Sequence, residues 1–212
     1  MRSSLLALAA LLLSTAPSAA QTVSIDRGNV VLTRPGAAPV RLTTGGNDRE
    51  PVLSPGGRRV AFIRGNDAES ELWVVDVAGG SARRLVNARR SDDAEENLTF
   101  FASPQFSPNG ETVYFLTQAW ATSSAVHAVN LATGRVRFVC PGNSLKVVPR
   151  GDYAGYLIVS QHKYFLGGGT YDWYWLIDPS GKPVDAIGES TEMFEETYVN
   201  RRWEKGVIID PG

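Results

Sequence analysis

The sequence predicts an all-β fold, a small β-propeller of four blades with four antiparallel strands each. Residues 51–62, PVLSPGGRRVAF, recur as residues 104–115, PQFSPNGETVYF, with the prolines, the serine and the turn glycine aligned. A glycine turn followed by an alternating apolar run is typical of a β-hairpin. Each copy is followed by a strand, a glycine turn and another strand, in residues 71–86 and 125–139. A four-stranded unit repeated every ~40 to 55 residues has the size of a propeller blade.

The remaining elements follow the same order. A weaker third copy lies in residues 146–159 and 172–187, and residues 23–43 match the later strands of a blade without an innermost strand. We expect residues 196–210 to supply that strand, because pairing the two chain ends removes free sheet edges. The alternative, which the sequence leaves open, is an open arc of three blades. Asp76, Asn130 and Asp178 precede the turns that end each copy, where a short polar side chain bonds nearby backbone amides.

These segments resemble the TolB-like β-propeller repeats, which carry a Pro-x-Trp-Ser-Pro-Asp-Gly segment, apolar strands and an Asp-x-x-Gly-Gly turn. The resemblance covers about residues 39–187. Leu53 and Phe106 stand where the family has tryptophan, and Gly56 and Asn109 where it has aspartate. The resemblance implies an exported protein of the bacterial envelope that binds another protein. Propeller domains of exported prolyl peptidases are also similar, but the hydrolase domain that accompanies them has no counterpart here.

The first 20 residues have the pattern of a secretory signal peptide. One arginine precedes an apolar run from Leu5 to Leu13, and small residues stand at Ser18 and Ala20. The run is too short to span a bilayer. We therefore expect residues 21–212 to form a single domain in the periplasm or outside the cell. Without Arg2 the net charge of the chain falls from −1 to near −2, which attracts neither nucleic acid nor an anionic membrane.

The blade topology predicts two unlike faces, because connections alternate between the two ends of the strands. The tight-turn face is predicted to hold six short turns: residues 54–57, 78–81, 107–110, 132–134, 150–152 and 179–182. The long-loop face is predicted to hold six longer connections: residues 43–50, 64–70, 87–103, 117–124, 140–145 and 161–171. Long loops on a rigid scaffold are where binding is usually found.

Catalytic motifs are absent from the sequence. It contains no G-x-S-x-G, H-E-x-x-H, P-loop, Rossmann or paired-cysteine pattern. His127 lies within a predicted strand and is expected to be packed, and His162 begins a long connection and is expected to be a surface residue. Cys140 cannot form an internal disulfide, and we expect it to be a buried thiol. The acidic run Ser91–Asn97 offers oxygen ligands of the kind calcium prefers, but its spacing matches no calcium loop, so we expect no cofactor.

Aromatic residues distinguish the two faces more sharply. Trp173, Tyr174 and Trp175 alternate along a predicted strand and are expected to pack between blades. The predicted partner-binding residues lie in or beside the long connections: Phe100, Phe101, Trp120, Tyr164, Phe165, Tyr171, Asp48 and Glu50. Aromatic anchors ringed by polar and acidic groups are typical of protein-binding surfaces. The alternative that stays open is that these loops fold back over their own rings.

Two functions follow from this pattern. The first is a non-enzymatic propeller that binds a protein in the envelope through the long-loop face, as a scaffold or as an inhibitor of a toxic enzyme. The second is a hydrolase or lyase with a carboxylate and histidine site at the channel mouth, built from Asp48, Glu50 and His162. The second requires those side chains to converge within hydrogen-bonding reach in a concave pocket.

Overall fold

The computed structural model describes residues 21–121, 123–164 and 167–189, and these residues form four antiparallel sheets. Consecutive strands pair within each sheet, as in the blades of a propeller. Blades 2, 3 and 4 have four strands each, and blade 1 has three among the described residues. The prediction of four blades is confirmed, and the alternative of three is wrong. The described sheets do not close into a ring, and the predicted closing segment, residues 196–210, lies outside the described residues.

The strands follow the repeats found in the sequence. Blade 1 contains β1 (Thr22–Asp26), β2 (Asn29–Thr33) and β3 (Val40–Arg41). Blade 2 contains β4 (Asp48–Leu53), β5 (Arg59–Arg64), β6 (Glu71–Asp76) and β7 (Arg83–Val86). Blade 3 contains β8 (Ala102–Phe106), β9 (Thr112–Trp120), β10 (Ser123–Asn130) and β11 (Val136–Pro141). Blade 4 contains β12 (Lys146–Val147), β13 (Leu157–Tyr164), β14 (Thr170–Ile177) and β15 (Pro183–Gly188). A 3-10 turn, Asp67–Glu69, precedes β6.

The repeated Ser-Pro-x-Gly segment forms the turn between the first two strands of blades 2 and 3. The Ser54 hydroxyl accepts hydrogen bonds from the backbone amides of Arg58 and Arg59, and the Ser107 hydroxyl accepts one from Thr112. Gly57 has a φ of 66°, which a residue with a side chain rarely adopts. The motif therefore recurs because each blade needs the same locally bonded turn.

Apolar clusters fill the spaces between neighbouring blades. Blades 2 and 3 meet around Phe101 and Phe115, whose rings stack with centroids 5.2 Å apart. Blades 3 and 4 meet around Val126, Val159 and the buried Cys140. Central strands that pack on both faces bury consecutive residues rather than alternate ones, as in the run of buried residues along β13. This packing holds each blade rigidly against the next and fixes the positions of the connections.

Two predicted loop boundaries are wrong. Residues 117–124 and 161–171 belong mostly to strands, since β9 continues to Trp120 and β13 to Tyr164. The turn predicted at residues 150–152 is a longer connection, residues 148–156, closed by hydrogen bonds such as that from the Gly155 amide to the Val148 carbonyl. The extended strands were missed because they lie beyond the apolar core, where no alternation marks them.

Candidate functional site

Two hairpins of the long-loop face are longer than their counterpart in blade 2. Strands β9 and β10 have 9 and 8 residues, and β13 and β14 have 8 each, whereas β5 and β6 have 6 each. At about 3.3 Å per residue, two or three extra residues extend a hairpin by ~7 to 10 Å. Trp120 ends β9 and Tyr164 ends β13, with 41% and 69% of their surfaces exposed. The hairpins thus present aromatic rings at their tips.

A groove of about 300 Å³ lies between these two hairpins and is called the hairpin groove. Its lining combines two aromatic rings, the backbone of the blade 3 to blade 4 connection and three polar side chains: Trp120, Ser123, Pro141, Gly142, Asn143, His162 and Tyr164. An apolar cleft with a few polar groups is the usual composition of a binding site. Of the residues predicted from sequence as binding residues, the groove contains Trp120 and Tyr164.

The floor of the hairpin groove is fixed by backbone hydrogen bonds to both hairpins. The Gly142 amide donates to the Ser124 carbonyl at 2.9 Å, and the Asn143 amide donates to the Ser160 carbonyl at 2.8 Å. The Asn143 side-chain oxygen accepts a bond from the Ser124 amide at 2.9 Å. A Cβ at Gly142 would lie 2.1 Å from Val159 Cγ1, so only glycine fits. The backbone of both hairpins therefore fixes the floor of the groove, and the exposed rings of Trp120 and Tyr164 form part of its walls.

His162 lies on the wall of the groove and is bonded to a single carboxylate. Its Nδ1 is 3.0 Å from Asp172 Oδ1 on the neighbouring strand β14, and its ring meets the Tyr164 ring edge-on at 5.1 Å. Asp48 and Glu50 bond to other groups in blades 2 and 3. The three residues proposed for an enzymatic site therefore do not form one constellation among the described residues. What the structure brings to His162 instead is Asp172.

Phe100 and Phe101 are adjacent in the chain but differ in solvent exposure. Phe100 has a φ of 54° and is 41% exposed, whereas Phe101 is 1% exposed and stacks on Phe115 in the core. The Phe101 amide donates to Ser70 Oγ, and its carbonyl accepts a bond from Arg49 at 3.0 Å. Phe101 was wrongly predicted as a binding residue, because it packs between blades. Phe100 remains on the long-loop face beside a depression of about 390 Å³ lined by Arg49 and Asp67.

Asp48 is also a structural residue rather than a surface residue. Its carboxylate is completely buried and accepts bonds from Arg64 Nε at 2.6 Å and from the Thr43 hydroxyl at 2.5 Å. A partner cannot contact that group, so the prediction of a binding role for Asp48 is wrong. Glu50 is exposed, with a φ of 48° at a bulge in β4, and it bonds to Arg49 and to the Ser103 amide, both at 2.6 Å. Glu50 therefore joins blade 2 to blade 3.

The acidic run predicted on the long-loop face is docked on the first long hairpin, and residues 91–97 are called the acidic loop. Asn97 Nδ2 donates to the Gln118 carbonyl of β9 at 2.9 Å. His127 Nε2 is 2.8 Å from the Glu95 carbonyl, and its Nδ1 is 3.1 Å from the Thr117 hydroxyl. Because a carbonyl only accepts, Nε2 carries the proton and Nδ1 accepts from Thr117. The prediction that His127 is packed is confirmed, since it is 1% exposed.

Burial makes His127 and Cys140, both predicted to be packed in the fold, chemically inert. Burial lowers the pKa of His127, opposed by its hydrogen bond to Glu95 and reinforced by the charge of Arg89. Burial raises the pKa of the Cys140 thiol to about 12, so the thiolate does not form near neutral pH and the prediction of a buried, unreactive thiol is confirmed. Neither group has the properties of a nucleophile or a general base.

For the other predicted binding residues, Tyr171 and Phe165, the structure neither supports nor contradicts a binding role. Tyr171 is half-buried on β14, with its ring 6.0 Å from that of Trp173, and Phe165 lies outside the described residues. Trp173, Tyr174 and Trp175 are half-buried; Trp175 packs in the cluster between blades 3 and 4, as predicted, whereas Tyr174 packs against a cluster within blade 4. Ser123, Pro141, Gly142 and Asn143 were not predicted as site residues. Their only signal was the placement of residues 117–124 and 140–145 on the long-loop face.

Residues 21–121, 123–164 and 167–189 contain neither a metal-binding cluster nor a membrane-spanning helix. These residues contain no group of three or more His, Cys, Asp or Glu side chains placed to hold a metal ion. In the same ranges, no helix has the length and apolar character needed to cross a bilayer. The expectation that the protein has no cofactor stays a prediction.

Comparison with known proteins identifies the fold. No protein-family model matches the chain. Among solved structures, TolB from Acinetobacter baumannii superposes with a TM-score of 0.55 at 16% identity, over 80% of this chain and 41% of that one. Dipeptidyl peptidase 4 from Porphyromonas gingivalis gives a TM-score of 0.57 at 11% identity, over 80% and 31% of the two chains. Oligogalacturonate lyase from Vibrio parahaemolyticus gives 0.54 at 10% identity, over 76% and 42%.

These similarities show a TolB-like β-propeller fold, as the repeats predicted. The chain spans less than half the length of each of the three proteins. The three also differ in what they are named for, and a shared fold does not by itself assign a function.

Proposed function

We propose that this protein is an exported, non-enzymatic propeller that binds another protein of the bacterial envelope through its long-loop face. The observation that carries the proposal is the hairpin groove, in which Trp120 and Tyr164 stand exposed at the tips of two projecting hairpins above a hydrogen-bonded floor. Exposed tryptophan and tyrosine are enriched at the energetic centres of protein interfaces.

The distribution of exposed apolar residues supports this face. Within the described part of the chain, the exposed large aromatics are Phe100, Trp120 and Tyr164, and all three lie on the long-loop face. Val40 and Val184, which are equally exposed, begin β3 and β15 near the tight-turn face and are aliphatic. Single exposed aliphatic residues are normal on a soluble protein, whereas aromatics gathered on one face indicate an interaction site.

Location and mode of action follow from the predicted leader and from the geometry. The leader directs the protein to the periplasm or the exterior. A rigid floor with projecting hairpins suits insertion into a concave partner, as an inhibitor of a toxic enzyme does, or capture of a projecting segment, as a scaffold does.

The proposal is tested by affinity capture from a native envelope extract with residues 21–212 as bait. The captured protein is then purified and its affinity is measured for Trp120→Ala and Tyr164→Ala. Each substitution is expected to weaken binding by at least about fivefold, corresponding to ~1 kcal/mol, with the urea midpoint unchanged. Failure to capture any protein counts against the proposal.

Matched controls come from the other face. Val40→Ala and Val184→Ala also shorten exposed apolar side chains and are expected to leave affinity unchanged. Equal losses for the controls and the aromatic variants would reject the long-loop face as the binding surface.

A second candidate function rests on the His162–Asp172 pair. A carboxylate at Nδ1 orients an imidazole and fixes its tautomer, as in sites that use histidine as a general base. Within the described ranges no hydroxyl or thiol is hydrogen-bonded to His162, so a hydrolase or lyase would have to activate water or a substrate proton directly. His162→Gln would abolish such an activity, and a wild-type protein inactive on ester, peptide and uronate substrates would remove this candidate.

A further inference from the structure

We infer that the partner presents a basic segment, rich in arginine or lysine, to the long-loop face. This inference rests on the proposed function and specifies the chemistry of the partner. It follows from an uneven distribution of charge between the two faces, combined with the position of the exposed aromatic rings.

The propeller separates its charges by face. Connections of the tight-turn face carry five basic and three acidic residues: Arg34, Arg58, Arg135, Arg150, Lys182, Glu111, Asp152 and Asp178. Connections of the long-loop face carry three basic and six acidic residues: Arg27, Arg89, Arg90, Asp67, Glu69, Asp92, Asp93, Glu95 and Glu96. The net charge of the whole chain is only −1, so the excess of acid on one face is a property of the arrangement and not of the composition.

The acidic residues in the connections differ from those in the strands beside them. Asp48, Glu50 and Glu71 are each paired with an arginine of blade 2, at 2.6, 2.6 and 2.9 Å respectively. Among the described residues, no ion pair involves the six carboxylates of the long-loop connections, and all six are exposed. Carboxylates that serve the fold are therefore neutralised, while those of the connections leave a negative field on the surface.

This field lies beside the aromatic rings. The acidic loop bonds to the backbone of Gln118, two residues before Trp120 on β9, and Glu69 lies in the connection that also holds Asn66 and Asp67 next to Phe100. An aromatic face attracts a guanidinium or ammonium group through a cation–π interaction, and a nearby carboxylate pairs with the same cation. The aliphatic stems of arginine and lysine pack on the ring itself.

Charge complementarity of this kind governs which partners approach and how fast. A negative face accelerates association with a basic surface and repels an acidic one, and the effect weakens as salt rises. The tight-turn face has an excess of basic residues and would repel the same basic partner. The charge distribution thus favours the binding of a basic protein segment to the long-loop face over that of an acidic peptide or a nucleic acid.

The test uses two synthetic probes, the blocked hexapeptides Arg-Leu-Arg-Leu-Arg-Leu and Glu-Leu-Glu-Leu-Glu-Leu, titrated into ¹⁵N-labelled residues 21–212. The basic probe is expected to shift the Trp120 indole resonance and the amides of the acidic loop. Its affinity is expected to fall about fivefold between 50 and 300 mM salt. The acidic probe is expected to shift neither set.

Charge reversal supplies the matched variants. Glu69→Lys, Asp92→Lys and Glu96→Lys combined reverse exposed charges that make no side-chain hydrogen bond among the described residues, and should weaken the basic probe at least tenfold. The combination Asp76→Lys, Glu111→Lys and Asp152→Lys changes the net charge by the same amount at the tight-turn face and should have little effect. Equal effects of the two combinations, or equal binding of the two probes, would overturn the inference.

Failure here and failure of the proposed function are distinguishable. If Trp120→Ala reduces capture of the native partner while charge reversal on the long-loop face does not, the binding face stands and the basic partner is rejected. If the aromatic substitutions leave capture unchanged, the proposed function itself fails, whatever the probes do.

Discussion

The tight-turn face and the long-loop face are built by different kinds of contact. In the tight turns the Asn and Asp side chains bond locally: Asn130 Oδ1 accepts from the amides of Ala132 and Thr133, and Asp178 Oδ1 accepts from those of Ser180 and Lys182. On the long-loop face the bonds join distant segments, as between Glu50 and the Ser103 amide, 53 residues apart. The side chains that shape the tight turns therefore bond to nearby residues, whereas a contact such as that of Glu50 with Ser103 forms only when blades 2 and 3 assemble.

The difference has an energetic counterpart. Turn bonds of the first kind also form transiently in an unfolded chain, because they need few residues to come together. Bonds of the second kind are lost together when the blades separate. Substitutions that break a buried long-range contact should therefore cost more stability than substitutions in the turns.

The largest expected effect is at Asp48. Asp48→Ala removes a fully buried carboxylate and leaves Arg64, which is 25% exposed, without its partner. We expect a loss of about 3 kcal/mol in the free energy of unfolding, measured by urea denaturation. Ser54→Ala on the tight-turn face removes the acceptor for two backbone amides and should cost about 1 kcal/mol. A cost for Ser54→Ala equal to that for Asp48→Ala would contradict the distinction between the faces.

The same distinction explains what the sequence could predict of the fold. The Ser-Pro-x-Gly turns could be predicted because the bonds that their serines make lie within five residues. The pairing of Asp48 with Arg64, which face each other on β4 and β5, was not predicted, because the sequence analysis placed both residues in connections. The ends of β9 and β13 could not be predicted from the sequence, because strand pairing beyond the core buries no apolar face and leaves no alternation of apolar and polar residues.

An intermediate effect is expected at His127, which links the acidic loop to β10. Burial lowers the pKa of His127, so between this lowered value and the unfolded value of about 6.5 only the unfolded chain binds the proton. The stability contribution of His127 is therefore complete above about pH 6.5 and is lost as pH falls through the lowered pKa.

Urea denaturation from pH 8 to pH 5 measures this effect. The wild type should lose stability over that range relative to His127→Gln, whose amide is neutral throughout and can still donate to the Glu95 carbonyl. All other residues are the same in both proteins, so their contributions cancel in the difference. Parallel pH profiles for the two proteins would show that His127 titrates normally in the fold.

The binding residues were harder to predict than the fold, for a reason visible at Phe100 and Phe101. The two have the same chemistry, and nothing in the local sequence states which ring enters the core. The choice is made by the left-handed backbone of Phe100, held by bonds from its neighbour to Ser70 and Arg49 in blade 2. Such information is long-range, so the sequence could indicate the face but not the individual residues.

The smallest expected effect on stability, and the sharpest separation of stability from binding, is at Phe100. Its φ of 54° costs a residue with a Cβ about 1 kcal/mol, and glycine adopts this conformation without that cost. Phe100→Gly should therefore be more stable than Phe100→Ala by up to ~1 kcal/mol in urea denaturation, the reverse of the usual order. Both variants lack the exposed ring and should lose partner affinity to the same extent. An alanine variant as stable as the glycine variant would mean that the backbone at Phe100 relaxes on substitution, and that its left-handed conformation is maintained by the ring rather than by the contacts of Phe101.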